Sequence, residues 1–218
     1  MMNAPGLGDG DPRPFMPEHL ASTNYQRTRE MTIDELLLEN RVIFLIGDIN
    51  YSSAARVIMQ MLYLENQKRG QDINFYINSP GGSVTEGMAI YDAMLAIEAP
   101  VSTVCMGMAM SMGSFLLAAG EPGRRFAWPH ARIMIHQPLI MGTVTGTATD
   151  LDIRAKETIR LRGELNELYA KHTGQDVEKV ANDTDRDFFM SAQEAKEYGL
   201  LDDVIMTTAP APNGQVKK

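Results

Sequence analysis

Apolar residues recur along the chain in short blocks whose period alternates between strand and helix. Val42–Ile46 (VIFLI) is β-rich and apolar on both parities, which predicts a buried strand. Ser53 to Arg69 reads as a helix, with Ile58, Met61 and Leu62 on one face and Gly70 as its stop. Ile73–Asn78 predicts the next strand. After the turn signal SPGG, Ser83 and Glu86 have capping-box spacing and open a helix that ends before Pro100. Val101–Met106 predicts a strand broken by Gly107, followed by a helix from near Ser111. Arg132–Pro138 predicts another strand. A long helix is expected from about Asp150 to His172, with Thr149 and Asp152 at capping-box spacing and Gly174 as its close. Two short helices follow, the second from Ser191–Glu194 to Gly199. Asp203–Met206 is a last strand.

This βαβ rhythm implies an α/β fold, a mostly parallel sheet covered by helices. In such sheets, sites form where strands end and helices begin. The first twenty residues are rich in Pro and Gly and read as a flexible arm. The end, APAPNGQVKK, reads as a polar tail.

Charge and composition narrow the function classes. Lys and Arg number 20 against 28 Asp and Glu, a net charge of −8. That excess speaks against nucleic-acid binding, which needs cations for phosphates, and against a polybasic membrane surface. Cys105 is the single cysteine, so no intrachain disulfide forms and a reducing compartment is expected. No apolar run approaches the length of a membrane span, and the N-terminus lacks the pattern of a secretory signal. One Cys and four His without HExxH or CxxC spacing argue against a metal site. No GxxxxGK[ST] is present for ATP.

Two strand-to-helix junctions carry candidate chemistry. In Ser79-Pro80-Gly81-Gly82-Ser83, paired glycines before a helix leave backbone N–H groups open to an anion or an oxyanion, or they form a plain turn. In Gly107–Gly113, Ser111 stands as either a nucleophile or a helix cap, and the segment is not a G-x-S-x-G elbow. A serine nucleophile needs a base. His19 lies in the arm, His130 in a loop, and His172 in the last turn of a helix, where it suits the dipole. His136 emerges at a strand end, as a base or as a structural ring. Asp183, Asp185 and Asp187 cluster in NDTDRD, and spacing does not choose which one orients the imidazole.

At these residues the sequence resembles the ClpP family, the proteolytic subunits of the ATP-dependent Clp protease. The likeness runs from about Asn40 to Ile205. It is carried by ENRVIFL, FYINSPGGSVTEGMAIYDAM, VSTVCMGMAMSMGSFLLAAG, RFAWPHARIMIHQP, ELNELYAKHTG and DTDRDFFMSAQEAKEYGLLD, in family order. The resemblance implies a crotonase-like (ClpP-like) fold with a protruding handle helix. It divides the chain into an arm or propeptide (1–22), a peptidase domain (23–206, handle about 137–173) and a tail (207–218). It implies a serine endopeptidase with Ser111 as nucleophile, His136 as base and Asp187 as third member. Gly82 and Met112 would supply the oxyanion-hole N–H groups. Arg186 would serve ring contact, and Tyr76 partner docking. It further implies two stacked heptameric rings enclosing the serines. An AAA+ unfoldase of the Clp type would feed unfolded polypeptides through a pore lined by residues between Glu18 and Arg29. The chain would need no cofactor, since the partner consumes the ATP. It would work in the bacterial cytoplasm or an organellar matrix or stroma.

The chain departs from the commonest family pattern at Met108 and Met110, where Gln and Ala are more frequent, and in LIMGTVTG, about two residues longer. These departures leave open a structural subunit in a mixed ring with an active paralogue. The third reading is a crotonase-type acyl-CoA enzyme, which would not share the Ser and His motifs together.

Overall fold

The computed structural model describes residues 31–140 and 142–205. In chain order they form α1 (Ile33–Glu39), β1 (Val42–Ile46), α2 (Tyr51–Gln67), β2 (Ile73–Ser79), α3 (Val84–Ala96), β3 (Val101–Met110) and α4 (Met112–Ala118). There follow β4 (Arg125–Ala127), β5 (Arg132–Ile135), α5 (Ala148–Thr173), α6 (Val177–Asp183), β6 (Phe188–Ser191), α7 (Ala192–Tyr198) and β7 (Asp203–Val204). The arm, the expected pore-lining stretch and the polar tail lie outside the described residues, as does the expected end of the last strand at Met206.

The sheet runs β1-β2-β3-β4-β7, all parallel. β3 serves two neighbours on the same side. Its first half pairs with β4, and its end, Met108–Met110, pairs with β5. β6 then adds to β5 antiparallel. The parallel sheet expected from the βαβ rhythm is therefore present, with one antiparallel edge pair.

Several local expectations shift, each for a visible reason. β1 is an edge strand. Ile43 and Leu45 are buried, whereas Ile46 on the other face is 59% exposed, so the apolar run is only half buried. The buried face of α2 is Ala54, Val57, Met61 and Leu64, and Leu62 points outward. That helix starts at Tyr51 because Asn50 and Ser53 close a capping box ahead of the expected start. It ends at Gln67, and Gly70 lies beyond it in the turn. The long helix α5 begins earlier too, with the reciprocal box at Thr147 and Asp150 rather than Thr149 and Asp152. At α3 the Ser83 hydroxyl accepts from the Glu86 N–H, the forward half of the expected box. The box at Ser191 and Glu194 stands as expected, with Gly199 in the left-handed conformation that ends α7. β5 stops at Ile135, and α1, β4 and β6 appear where no element was anticipated.

α4 anchors the interior. All seven of its residues are buried, as befits a helix with no charged side chain whose one polar group, the Ser114 hydroxyl, is hydrogen-bonded inside. Phe115 and Leu116 are fully covered, and burial of such a side chain contributes about 1.5–3 kcal/mol. α4 packs on β2, β3, β5, α3 and the end of α5. In α5 only Leu165, Asn166, Tyr169 and Ala170 are buried, so the preceding turns from Ala148 to Glu164 project beyond the core as the expected handle. Its far end is tied down by Arg125, which donates to the carbonyls of His172 and Gly199 and forms a two-pronged pair with Asp202. Burial works to raise the Asp202 pKa, but the Arg125 hydrogen bonds outweigh it and hold the carboxyl below its ordinary value. His172 differs from expectation. Burial first, then Lys171 and Arg125, pull its pKa down to about 4, so the ring is neutral and shares a hydrogen bond with the Tyr91 hydroxyl instead of serving the helix dipole.

Candidate active site

β3 delivers Ser111 to the surface by way of a bulge. Between its pairings with Ile77 and Ser79, β3 runs from Cys105 to Ala109, spending more residues than β2 does. Gly107, at φ 81°, makes this possible, and the Met108 N–H donates to Asn78 Oδ1 across it. A β-carbon on Gly107 would sit 2.8 Å from that oxygen. The glycine therefore bends the strand without ending it, and β3 reaches Met110.

Ser111 then turns the chain into α4 with φ 53° and ψ −125°. This is the conformation of the first central residue of a type II′ turn, usually glycine, and it costs a serine about 1–3 kcal/mol. The surroundings hold it there. The Ser111 N–H donates to Met134 O at 2.9 Å. Its carbonyl accepts from the N–H groups of Ser114 and Phe115 and from the Tyr169 hydroxyl, at 3.0, 3.1 and 3.0 Å. The side chain makes no cap bond to α4. Its Oγ lies 2.9 Å from His136 Nε2, which decides between the cap and the base-paired serine.

His136 follows β5, and the antiparallel register explains its partner. Ile135 pairs with Phe188, so the next position sets His136 opposite Asp187. Nδ1 lies 2.9 Å from Asp187 Oδ1. With the Nδ1 proton donated to Asp187, the Nε2 lone pair faces the Ser111 hydroxyl. The three aspartates separate by their partners. Asp183 takes Lys179 and the Tyr198 hydroxyl, at 2.5 and 2.9 Å. Asp185 takes Arg162 at 3.3 Å, and its carbonyl takes the Gln137 amide at 2.6 Å. Asp187 alone of the three reaches the imidazole. The buried Thr184 accepts Gln137 N–H through its carbonyl at 2.6 Å and so ties the Asp187 loop to the residue after His136.

The glycine pair of the SPGG junction faces the same spot. Gly81 has φ 98°, and a β-carbon there would lie 2.7 Å from both Met110 O and Ser111 Cβ. Gly82 has φ 149°, and a β-carbon would come within 2.2 Å of Ile49 O. An isolated parallel bridge explains that closeness, with Ile49 N–H donating to Gly81 O and Ser83 N–H to Ile49 O. The N–H groups of Gly82 and Met112 have no acceptor among the described residues. Two open N–H donors thus accompany a serine, an imidazole and a carboxylate.

A cleft of about 630 Å³ opens beside this constellation, lined by His136, Gln137, Pro138, Leu139, Asp185, Arg186 and Asp187. Arg186, at the rim of this cleft, is 85% exposed at its side chain and among the described residues pairs with Asp185. Tyr76 is remote from the site. It stacks on Phe44 of β1 at 5.3 Å, and Phe44 lines a groove of mixed character with Leu37, Val42 and Ile46 on the apolar side and Asp34, Arg56 and Gln60 on the polar side. Sequence reading did not find Ser114 and Tyr169, whose hydroxyls back the Ser111 carbonyl. Ser114 stands three residues after Ser111, a local hint, but Tyr169 comes from another helix and leaves no mark near the motif. His130 and His172 lie outside the hydrogen-bonded chain.

The family model described as Clp protease matches residues 25–208. The chain belongs to the Clp protease family. It is 51% identical over 185 residues to the ATP-dependent Clp protease proteolytic subunit 1 of Rhodopirellula baltica, covering 85% of this chain and 81% of that relative. Family membership makes the chain a serine peptidase, and its mixed α/β fold with the projecting α5 is that of the Clp protease family. An acyl-CoA enzyme of the crotonase type is thereby set aside. No helix among the described residues is long and apolar enough to cross a membrane.

Proposed function

We propose that Ser111, His136 and Asp187 hydrolyse peptide bonds as nucleophile, general base and orienting carboxylate of a chambered, ATP-dependent protease. The observation that carries the reading is the unbroken chain Ser111 Oγ, His136 Nε2, His136 Nδ1, Asp187 Oδ1, with 2.9 Å at each contact between residues. His136 takes the Ser111 proton as Oγ attacks the scissile carbonyl. The carbonyl oxygen becomes an oxyanion and meets the N–H groups of Gly82 and Met112, and one such donor contributes roughly 2.7–4 kcal/mol. His136 then gives its proton to the leaving amine, and the acyl group stays on Ser111. A water molecule, deprotonated by His136, attacks that ester and restores the serine. Asp187 holds the tautomer and steadies the imidazolium throughout. An inactive subunit of a mixed ring has no need of this set, so the reading of an active chain is preferred.

The subunit works in an oligomer with Clp-type ATPases, on unfolded polypeptides. The finer form of this reading is two stacked heptameric rings, joined through α5 and Arg186 and open to a partner at the groove beside Tyr76. The largely unburied Ala148–Glu164 supports it. In this reading the chain needs no cofactor for hydrolysis, and the lack of a P-loop motif supports ATP use by the partner. The bacterial cytoplasm or an organellar matrix or stroma fits a single cysteine that is buried, with its thiol pushed up to about 12 by burial.

The test separates peptides from folded proteins. The particle alone should cleave short peptides, and should degrade a stable folded reporter only with a Clp-type ATPase and ATP. Tyr76→Ala should keep peptide cleavage and lose reporter degradation. Rapid destruction of the folded reporter without the ATPase, by protein free of other proteases, would contradict the chambered reading.

A further inference from the structure

The peptide unit between Ser111 and Met112 faces two ways. A trans peptide is planar, so its C=O and N–H point in opposite directions, and no cis bond occurs among the described residues. On one edge the Met112 N–H has no acceptor among the described residues and directly follows the nucleophile candidate Ser111 at the start of α4. On the other edge the Ser111 carbonyl points into the core. Two donors there, Ser114 N–H and Phe115 N–H, come with the first turn of α4. The others are hydroxyls that the turn does not require. Tyr169 Oη lies 3.0 Å from the carbonyl oxygen, and Ser114 Oγ lies 2.7 Å from it. The two hydroxyls are 2.9 Å apart, and Ser114 Oγ is also 2.7 Å from Met134 O, the acceptor of the Ser111 N–H.

This pair is built in. Ser114 is fully buried, and Tyr169 is 3% exposed. The Tyr169 ring is fixed edge-to-face on Phe115, 5.5 Å between centroids. Burial raises the phenol pKa, so the hydroxyl keeps its proton and has one to donate. The Tyr169 hydroxyl donates to the Ser111 carbonyl, and the single Ser114 hydroxyl proton has that oxygen and Met134 O, both at 2.7 Å, as acceptors. Two consequences follow. Donation to a C=O draws electron density to the oxygen and makes the N–H of the same amide a better donor. It also resists rotation of the peptide plane, the simplest way for the strained Ser111 to relax. Such a rotation would replace the Met112 N–H at the site with a repelling carbonyl oxygen.

We infer that Tyr169, together with Ser114, is a positioning residue of the oxyanion hole, fixing and polarising the Ser111–Met112 amide before substrate arrives. The inference rests on the reading of Ser111 as nucleophile and Met112 N–H as oxyanion donor. It makes a handle-helix residue a determinant of the chemical step, although Tyr169 touches neither substrate nor the reacting atoms.

The experiment compares Tyr169→Phe, which keeps the ring packing, with the parent enzyme in assembled particles of equal size. The variant should lose about fivefold to tenfold in kcat on a short peptide, the scale of one neutral hydrogen bond, with KM unchanged. The inhibition constant of a peptide boronic acid, whose tetrahedral adduct places an oxygen in the hole, should rise by a similar factor. Ser114→Ala should show the same paired losses, and the double variant should lose less than the product of the two. A merely structural role would lower the melting temperature without moving kcat and boronate affinity together. Parental kcat and boronate affinity in both single variants would overturn the inference. Failure of the underlying reading has a different signature, because Ser111→Ala would then still hydrolyse peptide and bind the boronate.

Discussion

Ser111, His136 and Asp187 meet because two strand registers bring them together, and each residue is specified by what its neighbours already bind. The strongest case is the aspartate. Spacing in NDTDRD leaves three candidates, and the family resemblance selects Asp187. The structure supplies the physical reason: Asp183 is held by Lys179 and Tyr198, and Asp185 by Arg162 and Gln137. Asp187→Asn should therefore cut kcat on a short peptide by on the order of 10⁴, through the wrong imidazole tautomer. Asp183→Asn and Asp185→Asn should stay active, since losing a partly exposed ion pair away from the imidazole costs only about 0–1 kcal/mol. Steady-state kinetics on size-selected particles checks this, and an inactive, assembled Asp185→Asn beside an active Asp187→Asn would refute it. The serine was equally ambiguous in the sequence, because a hydroxyl before a helix is usually a cap. Its φ of 53° and its missing cap bond are tertiary facts that no local pattern contains.

At the scale of elements, periodicity and turn chemistry made most strands and helices legible. The misses have tertiary causes. β4 and β6 are short and gain their status only by pairing with β3, β7 and β5. VIFLI looks buried on both faces because apolar composition cannot distinguish an edge strand with an unpartnered face from a central one. Gly107 looked like a strand end, and the bulge that lets β3 continue depends on Asn78 from the neighbouring strand. The SPGG junction was legible as a turn, but its demand for glycine comes from Ile49. Gly82→Ala should be severely destabilising. Its β-carbon would fall 2.2 Å from a backbone oxygen, and φ 149° adds strain of about 1–3 kcal/mol. The Ile49–Gly82 bridge would open and displace one of the two proposed oxyanion donors. A melting curve and a peptidase assay should both show large losses, and parental values in both would contradict this account of the junction.

For the whole molecule, the unpartnered surfaces carry the information. Leu151, Ile153 and Ile159 on the projecting part of α5 are 40%, 60% and 69% exposed, and Ile46 of β1 and Leu62 of α2 are exposed as well. Large apolar side chains left uncovered on helical turns that have no buried residue of their own fit an oligomer better than a monomer. Native mass spectrometry should give sevenfold multiples of the subunit mass, with fourteen as the complete particle. A stable, active monomer at micromolar concentration would contradict the ring architecture. The handle was visible in the sequence as a long capped helix, but that its turns before Leu165 lack any buried residue could not be read from a pattern that still carries apolar residues.

The central claim is that one serine in this chain is activated for acyl transfer by His136. A fluorophosphonate, which reports a nucleophilic serine directly, applied to the assembled particle and followed by peptide mapping, tests it most directly. The account predicts one phosphonylated residue, Ser111, with labelling abolished in Ser111→Ala and strongly slowed in His136→Ala. Labelling that persists at another serine in Ser111→Ala, or no labelling of a fully assembled particle, would contradict it.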